Sequence, residues 1–339
     1  MRRVFAALGM GALLLATLAI ATPASAGTIV VPPGGSINDA VASAQPGDVI
    51  QLEAGVYEDV VVIKTNDITI QGVGSGVDGS ILRPPANLPS RCFGGIAGIC
   101  ARGNGRTGTV VSGVTVTGVR AEGFIAFGFL ALVAENVTFE ADAAIDNGEY
   151  GFAAFESSGI VMRNNLAEGN ALAGLYVGDS PNAAATLEDN EASGSAYGFF
   201  LRDTKTGTVA TNTIHDNCIG ILVFNTSSPI QAARWTMTGN TIEDNARFCR
   251  GGGGEPAVSG IGIAIAGGRR NTVEGNLIQN NRTNRNVAFH GGVVLIRVEF
   301  APKNNSVTGN TLIRNRPNIF SDGSGSGNVI ANNDCTPAC

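Results

Sequence analysis

Short alternating apolar runs, an asparagine that returns every 22 to 36 residues and an almost complete lack of helical periodicity predict an all-β chain. The expected architecture is a solenoid of stacked coils behind a short N-terminal capping helix. The recurring phrase reads "IVMRNNLAEGNALAGLYV", "GTVATNTIHDNCIGILVF" and "NSVTGNTLIRNRPNIF". Asn165, Asn190, Asn212, Asn240, Asn276, Asn310 and Asn332 are assigned to one slot, at steps of 25, 22, 28, 36, 34 and 22 residues, and Asp142 fills it one step of 23 earlier. Inside each repeat, two to four alternating apolar residues are cut by Asn, Asp, Gly and Ser, which makes a repeat one coil of short strands. Stacking such coils pairs each strand in parallel with its copy at roughly 4.8 Å. Like side chains then lie above one another, and asparagines can bond along the stack as ladders. Composition agrees, with 47 glycines, 15% charged residues and a single tryptophan.

Residues 1–26 have a basic start (Arg2, Arg3), an apolar run from Val4 to Ile20 and the small-residue site Ala24-Ser25-Ala26, the pattern of a secretory signal peptide. The mature chain, 27–339, reads as one domain, because a solenoid grows by adding coils. It opens with "SINDAVASAQPGD", where Ser36 is an N-cap, Asp39 stands three residues on, and Ile37, Ala40, Val41 and Ala44 share one helical face. A helix there would cap the open end of the first coil. Next, "GDVIQLEAGVYEDVVVIKTNDITIQGVG" strings three strands through "EAG" and "TND" turns. Insertions near 83–107, 227–234, 246–258 and 283–292 interrupt the repeat, and in solenoids such insertions emerge on one face.

Loss of the leader leaves 20 Lys and Arg against 28 Asp and Glu, a net charge of −8 without a basic block, which speaks against nucleic-acid binding. After the leader, no apolar segment approaches the ~20 residues needed to span a bilayer. Six cysteines in an exported chain can pair in fifteen ways. The expected pairs are Cys92 with Cys100, Cys335 with Cys339, and Cys218 with Cys249, the last because stacking brings "HDN" and "EDN" of successive coils together. A metal site is the alternative reading, but there is no Cys-x-x-Cys and the two histidines lie far apart in sequence.

The series Ile-x-x-Ala-Val-x-x-Ala, Pro-Gly-Asp, a β-branched strand, Ala-Gly-Val-Tyr and Ile-Thr-Ile-x-Gly resembles the opening of right-handed parallel β-helix proteins of the pectin-lyase-like group. The later Asn-Thr-Ile…Asn…Gly-Ile phrases are similar to their parallel β-helix (PbH1) repeats. The resemblance implies the fold for nearly all of the mature chain. It does not imply one activity, because this fold carries lyases, glycosidases, esterases, epimerases, tailspikes and non-catalytic proteins.

Aligning coils on their asparagines also aligns the strands "GFAAF", "GLYVG", "GFFLR" and "GILVF" that begin at Gly151, Gly174, Gly198 and Gly220. Alternation sends Phe152, Leu175, Phe199 and Ile221 inward. It leaves Phe155, Tyr176, Phe200, Leu222 and Phe224 outside, flanked by Ile125, Phe127, Val294 and Ile296. Such a strip calls for a cover: the insertions, a subunit or partner interface (a homo-oligomer among them), or a sugar laid on an aromatic platform of Tyr176 and Phe200. After these strands stand Glu156-Ser157, Asp179-Ser180, Asp203-Thr204 and Asn225-Thr226 in register. One reading is Asx or Ser/Thr turns. The other is catalytic: carboxylates one coil apart lie roughly 5 Å from each other, a separation used in glycoside hydrolysis. Their repulsion is relieved by a shared proton, by a Ca2+ ion, or by Arg202 and Lys205.

His215 sits beside the asparagine slot and fits a turn role. His290, in "FHGG", resembles the His-Gly pair of β-helix polygalacturonate glycosidases and is a candidate substrate-binding residue. Their Asn-Thr-Asp, Asp-Asp and Arg-Ile-Lys companions are missing here, as is the Asp-Pro-His-Asp of alginate epimerases. The expectation is a secreted protein that binds or processes an extracellular polysaccharide. A lyase- or hydrolase-type reaction would use Asp179 and Asp203 as acid/base or cation-binding groups and Lys205 or Arg202 as charge stabiliser. The competing class is a non-catalytic surface or assembly protein using the apolar strip.

Overall fold

The computed structural model describes residues 26–89, 92, 96–226, 231–251 and 256–339. The expected leader, Ala26 apart, and portions of the first three insertions lie outside the described residues. Three sheets of 12, 11 and 10 strands run the length of the domain, and their strands pair in parallel with the copies in neighbouring coils. One coil consists of Val161–Arg163 in the first sheet, Leu166–Glu168 in the second and Ala173–Gly178 in the third. The helix Ile37–Ser43 closes the first coil, with the Ser36 hydroxyl accepting from the Asp39 amide at 3.1 Å. Ile37, Ala40 and Val41 are buried beneath it.

The stretch from Val49 to Gln71 holds four strands, not three: Val49–Leu52, Gly55–Glu58, Val61–Ile63 and Thr69–Gln71. The unexpected break falls at Asp59, whose carboxylate accepts from the amides of Val60, Ile37 and Asn38 and so ties a chain turn to the start of the helix. The insertion near 83–107 also contains a regular strand of the third sheet, Ala97–Arg102.

Two long asparagine ladders set the turns from the first sheet to the second and from the second to the third, and a short one, Asn271, Asn305 and Asn328, leads into the first sheet in the last coils. The first runs Asp142, Asn165, Asn190, Asn212, Asn240, Asn276, Asn310 and Asn333, between the first and second sheets. In each step the amide N–H and the Nδ2 of one asparagine both donate to the Oδ1 of the next, at 2.8–3.1 Å, and Nδ2 also donates to a buried carbonyl. The last member is Asn333, not Asn332. The residue before each rung has left-handed backbone, and Asn332 (φ 55°) occupies that place, like Asn164, Asp189 and Gly239 in earlier coils. The second ladder, Asn147, Asn170, Ser195, Asn217, Asn245, Asn281 and Asn315, turns the second sheet into the third; Asn170 and Ser195 are not bonded to each other among the described hydrogen bonds.

The second ladder dictates a column of glycines. A Cβ on Gly151 would meet the Asn170 Nδ2 at 2.8 Å, and one on Gly198 would meet Ile214 Cγ2 at 2.4 Å and Asn217 Nδ2 at 3.1 Å. Gly220, Gly262 and Gly292 face the same ladder. The second residue of each six-residue strand of the third sheet is therefore one that faces inward without a side chain. Cys92–Cys100, Cys218–Cys249 and Cys335–Cys339 form disulfides, with Cα separations of 6.3, 5.9 and 5.2 Å.

Asp142 breaks the rule of its own ladder. Its Oδ1 accepts from Val119 N, but the buried Oδ2, where an asparagine would carry its donor, has no partner. Burial pushes this carboxyl well above the ordinary range. The folded protein then keeps a proton that the unfolded chain loses above about pH 4, so this residue's contribution is greatest below that pH and is lost as pH rises through the folded-state pKa. Asp142→Asn should raise stability at pH 7 by about 1–3 kcal/mol, and the gain should vanish near pH 3.5, as read by paired thermal melts. Gly198→Ala should lower stability by about 1–3 kcal/mol through overpacking, measured by urea unfolding.

Candidate functional site

On the third sheet's outer face the glycine column reverses side-chain phase. Gly151 and Phe152 both point inward, with Phe152 stacked on Phe129 at 4.7 Å, so Tyr150 turns outward. Phe127 stacks on Tyr150 (5.6 Å) and Tyr150 on Tyr176 (4.5 Å). Tyr176 also meets Phe155 (4.6 Å) and Phe200 (5.4 Å), and Phe200 meets Tyr197 and Phe224. Strict alternation misses Tyr150 and Tyr197, and only the glycine ahead of each repeated strand signals them. Tyr176 is 0% exposed and Phe200 7%, so these two expected platform residues form a sealed underlayer. The remainder of the strip is largely covered as well, with Leu222, Val294 and Ile296 buried, while Ile125 is 56% exposed.

At the rim, where the third sheet turns toward the first, Val133, Glu156, Asp179 and Asp203 take left-handed backbone in successive coils. The Tyr176 hydroxyl donates to Asp179 Oδ2 at 3.4 Å, and Arg202 Nη2 lies 3.2 Å from each Asp179 oxygen. Gly178 makes room for this, because a Cβ there would sit 1.9 Å from the Tyr176 oxygen. Asp179 and Arg202 keep about a third of their side chains exposed, at 33% and 37%. Asp203, one coil on, is different: it is buried, its Oδ1 accepts from Thr226 N at 2.9 Å, and its Oδ2 accepts from the Thr226 hydroxyl. Its geometry is that of a turn-holding group, with Arg202 Nε 3.9 Å away.

The carboxylate that stands with Asp179 is Glu156, one coil earlier and exposed. It borders a groove of about 240 Å³ shared with Glu135, Ser158 and Asn182, and an apolar groove of about 310 Å³ formed by Ile96, Phe127, Leu130, Leu132 and Phe155. The aligned column contained Glu156, but nothing in the sequence ranked it above Asp203, because burial of that position is decided by the neighbouring coil. Lys205 leaves the Asp179–Arg202 pair and lines a separate pocket of about 210 Å³ with Arg234, Arg269 and Arg270. His290 precedes a third-sheet strand four coils beyond Asp179, with its Nδ1 against the Arg316 carbonyl, and does not join the rim. His215 lies on the second sheet between Asp216 (2.8 Å) and Glu191 (3.3 Å). Burial opposes its charge, but those bonds outweigh it and raise its pKa.

Burial pushes the phenols of Tyr150 and Tyr176 up, so both remain protonated, and the Tyr176 hydroxyl donates to Asp179. The groups able to take a proton at this rim are the carboxylates of Glu156 and Asp179, and Arg202 supplies the fixed positive charge. Among the described residues, no three His, Cys, Asp or Glu side chains gather as metal ligands, and no helix is long and apolar enough to cross a membrane.

Residues 91–234 match the family described as the right-handed β-helix region. No curated protein matches the sequence. Among solved structures, the chain is similar to the DFA-IIIase of Arthrobacter chlorophenolicus A6 in complex with GF2, at a TM-score of 0.64 and 13% identity over 92% of this chain and 98% of that one. The A-module of the mannuronan C-5 epimerase AlgE4 of Azotobacter vinelandii gives 0.59 and 15% over 88% and 90%. An alginate lyase of Paenibacillus sp. str. FPU-7 gives 0.59 and 16% over 88% and 99%. With the matched region, the parallel sheets and these likenesses in agreement, the chain has the right-handed parallel β-helix fold.

Proposed function

We propose that this β-helix is a secreted protein that binds an extracellular polysaccharide along the outer rim of its third sheet and processes it there. The Asp179–Arg202 pair carries the reading: an accessible carboxylate clamped by a guanidinium and a phenol, beside a second exposed carboxylate one coil away. Lyase or hydrolase chemistry needs a proton acceptor, a proton donor and a positive group facing the charge that develops. Asp179 and Glu156 supply the first two, and Arg202 the third. Their backbones are one coil, roughly 4.8 Å, apart, which suits two carboxylates flanking one sugar linkage. The solved structures named as a mannuronan epimerase and an alginate lyase act on polysaccharides, which supports this substrate class for the same fold. The assembly reading loses ground because most of the apolar strip is buried within the chain itself.

The test is incubation with alginate, polygalacturonate and inulin, following new reducing ends and the absorbance of unsaturated uronate. Turnover of at least one is expected, and Asp179→Asn should cut it by about 100-fold or more while the melting temperature stays close to that of the parent; undiminished turnover would remove Asp179 from the reaction. Gly178→Ala should displace the Tyr176 hydroxyl from Asp179 and lower kcat more than it raises KM, as read by steady-state kinetics with the same substrate.

A further inference from the structure

Across the turn from Arg202, where the first sheet begins, four successive coils carry positive side chains and no acidic ones. Parallel pairing places Lys205, Ala233, Arg269 and Lys303 in one column. Arg234 and Arg270 stand one residue further on, in the next column. Two of the chain's three lysines lie here, in a protein whose net charge is negative. Among the described residues none of these five cations is in an ion pair; the Arg269 guanidinium donates to the Gln231 side-chain oxygen. Lys205, Gln231, Arg234, Arg269 and Arg270 surround the pocket of about 210 Å³.

The placement of Arg234 and Arg270 is unfavourable for the fold. Both have left-handed backbone, φ 60° and 56°, at a turn position that other coils fill with Asp67, Gly113, Asn136, Gly159, Ala184, Thr206, Asn304 and Gly327, so that six of the ten carry Gly, Asn or Asp. Asparagine and glycine adopt that conformation at less cost than arginine. Stacking the two arginines in adjacent coils adds repulsion between like charges. A bound anion would offset both penalties.

We propose that this edge is the subsite for the acidic groups of the polysaccharide, so that the ligand is an anionic glycan bearing carboxylate or sulfate on successive residues. The inference rests on the polysaccharide reading above and narrows its substrate class. The coil rise of about 4.8 Å is close to the length of one pyranose along a glycan chain, so successive coils meet successive rings. Arginine offers a planar fork suited to carboxylate and sulfate. The pocket lining contains no aromatic side chain on which a nucleobase could stack, and the acidic chain as a whole repels nucleic acid.

The test uses the full mature chain and the variant Arg234→Asn/Arg270→Asn, which places at both turns the residue already accepted at Asn136 and Asn304 and should melt no lower than the parent. Binding of polygalacturonate, heparin, neutral dextran and single-stranded DNA is measured by affinity electrophoresis at low and high salt. The expected result is retention by one or both acidic glycans but not by dextran, weakened by salt and at least about tenfold weaker in the double variant. Equal retention by dextran, or an undiminished acidic-glycan affinity in the variant, overturns this subsite and leaves the polysaccharide reading standing. Absence of binding to every glycan overturns both. Tighter binding of DNA than of either acidic glycan, lost in the variant, overturns the glycan and assigns the edge to nucleic acid.

Discussion

A primary amide sealed in an apolar interior is costly unless its donors and acceptor all find partners. In this solenoid, that requirement is met by having the next coil repeat the same amide in the same place. Asn240 Oδ1 accepts two bonds from Asn212, whose Nδ2 also reaches a buried carbonyl, and the pattern recurs wherever asparagine follows asparagine along the first ladder. The arrangement works only in register, because sliding a coil by one residue would orphan a whole set of buried groups. The ladders thus fix coil spacing, turn conformation and strand pairing together. Asp142 shows the constraint from its weak side: a carboxyl group stands where the rung requires an amide, and its buried Oδ2 is left without a partner.

From the second ladder follows the character of the third sheet. The amides come so close that the facing strand position must be glycine, and the glycine lets its neighbour turn outward. The outer face gains Tyr150 and Tyr197 and becomes a continuous ring stack. That stack buries Tyr176, holds its hydroxyl against Asp179, and leaves Asp179 and Arg202 as a rigid, partly exposed pair. A local packing rule between amide and glycine therefore reaches the chemistry of the rim through two layers of side chains.

Charge is sorted along the same edge. Glu135 and Glu156 border one groove, Asp179 and Arg202 neutralise each other at the middle, and the cations from Lys205 to Lys303 follow. A coil-by-coil scaffold makes such sorting simple, because each coil offers the same turn positions and differs only in what occupies them.

The repeated asparagines, the N-capped helix and the strand phases beyond each third-sheet glycine were legible from residue order alone, because hydrophobic alternation and left-handed turn residues are local properties of the chain. Position 332 fits a rung by residue type, because Asn suits both the left-handed place and the ladder place, and only the hydrogen bond from Asn310 to Asn333 separates them. The column from Glu156 to Asp203 was also visible, but not the fate of its members. Whether a carboxylate meets solvent, an arginine or a neighbouring threonine depends on the coil above, which the sequence places 22 to 36 residues away. Residue order by itself determined a stack of parallel coils and the positions available for function. Tertiary structure alone decided that Asp179 stays open while Asp203 is closed by Thr226, and that Lys205 joins Arg234 and Arg270, because exposure and charge pairing are set by contacts between coils.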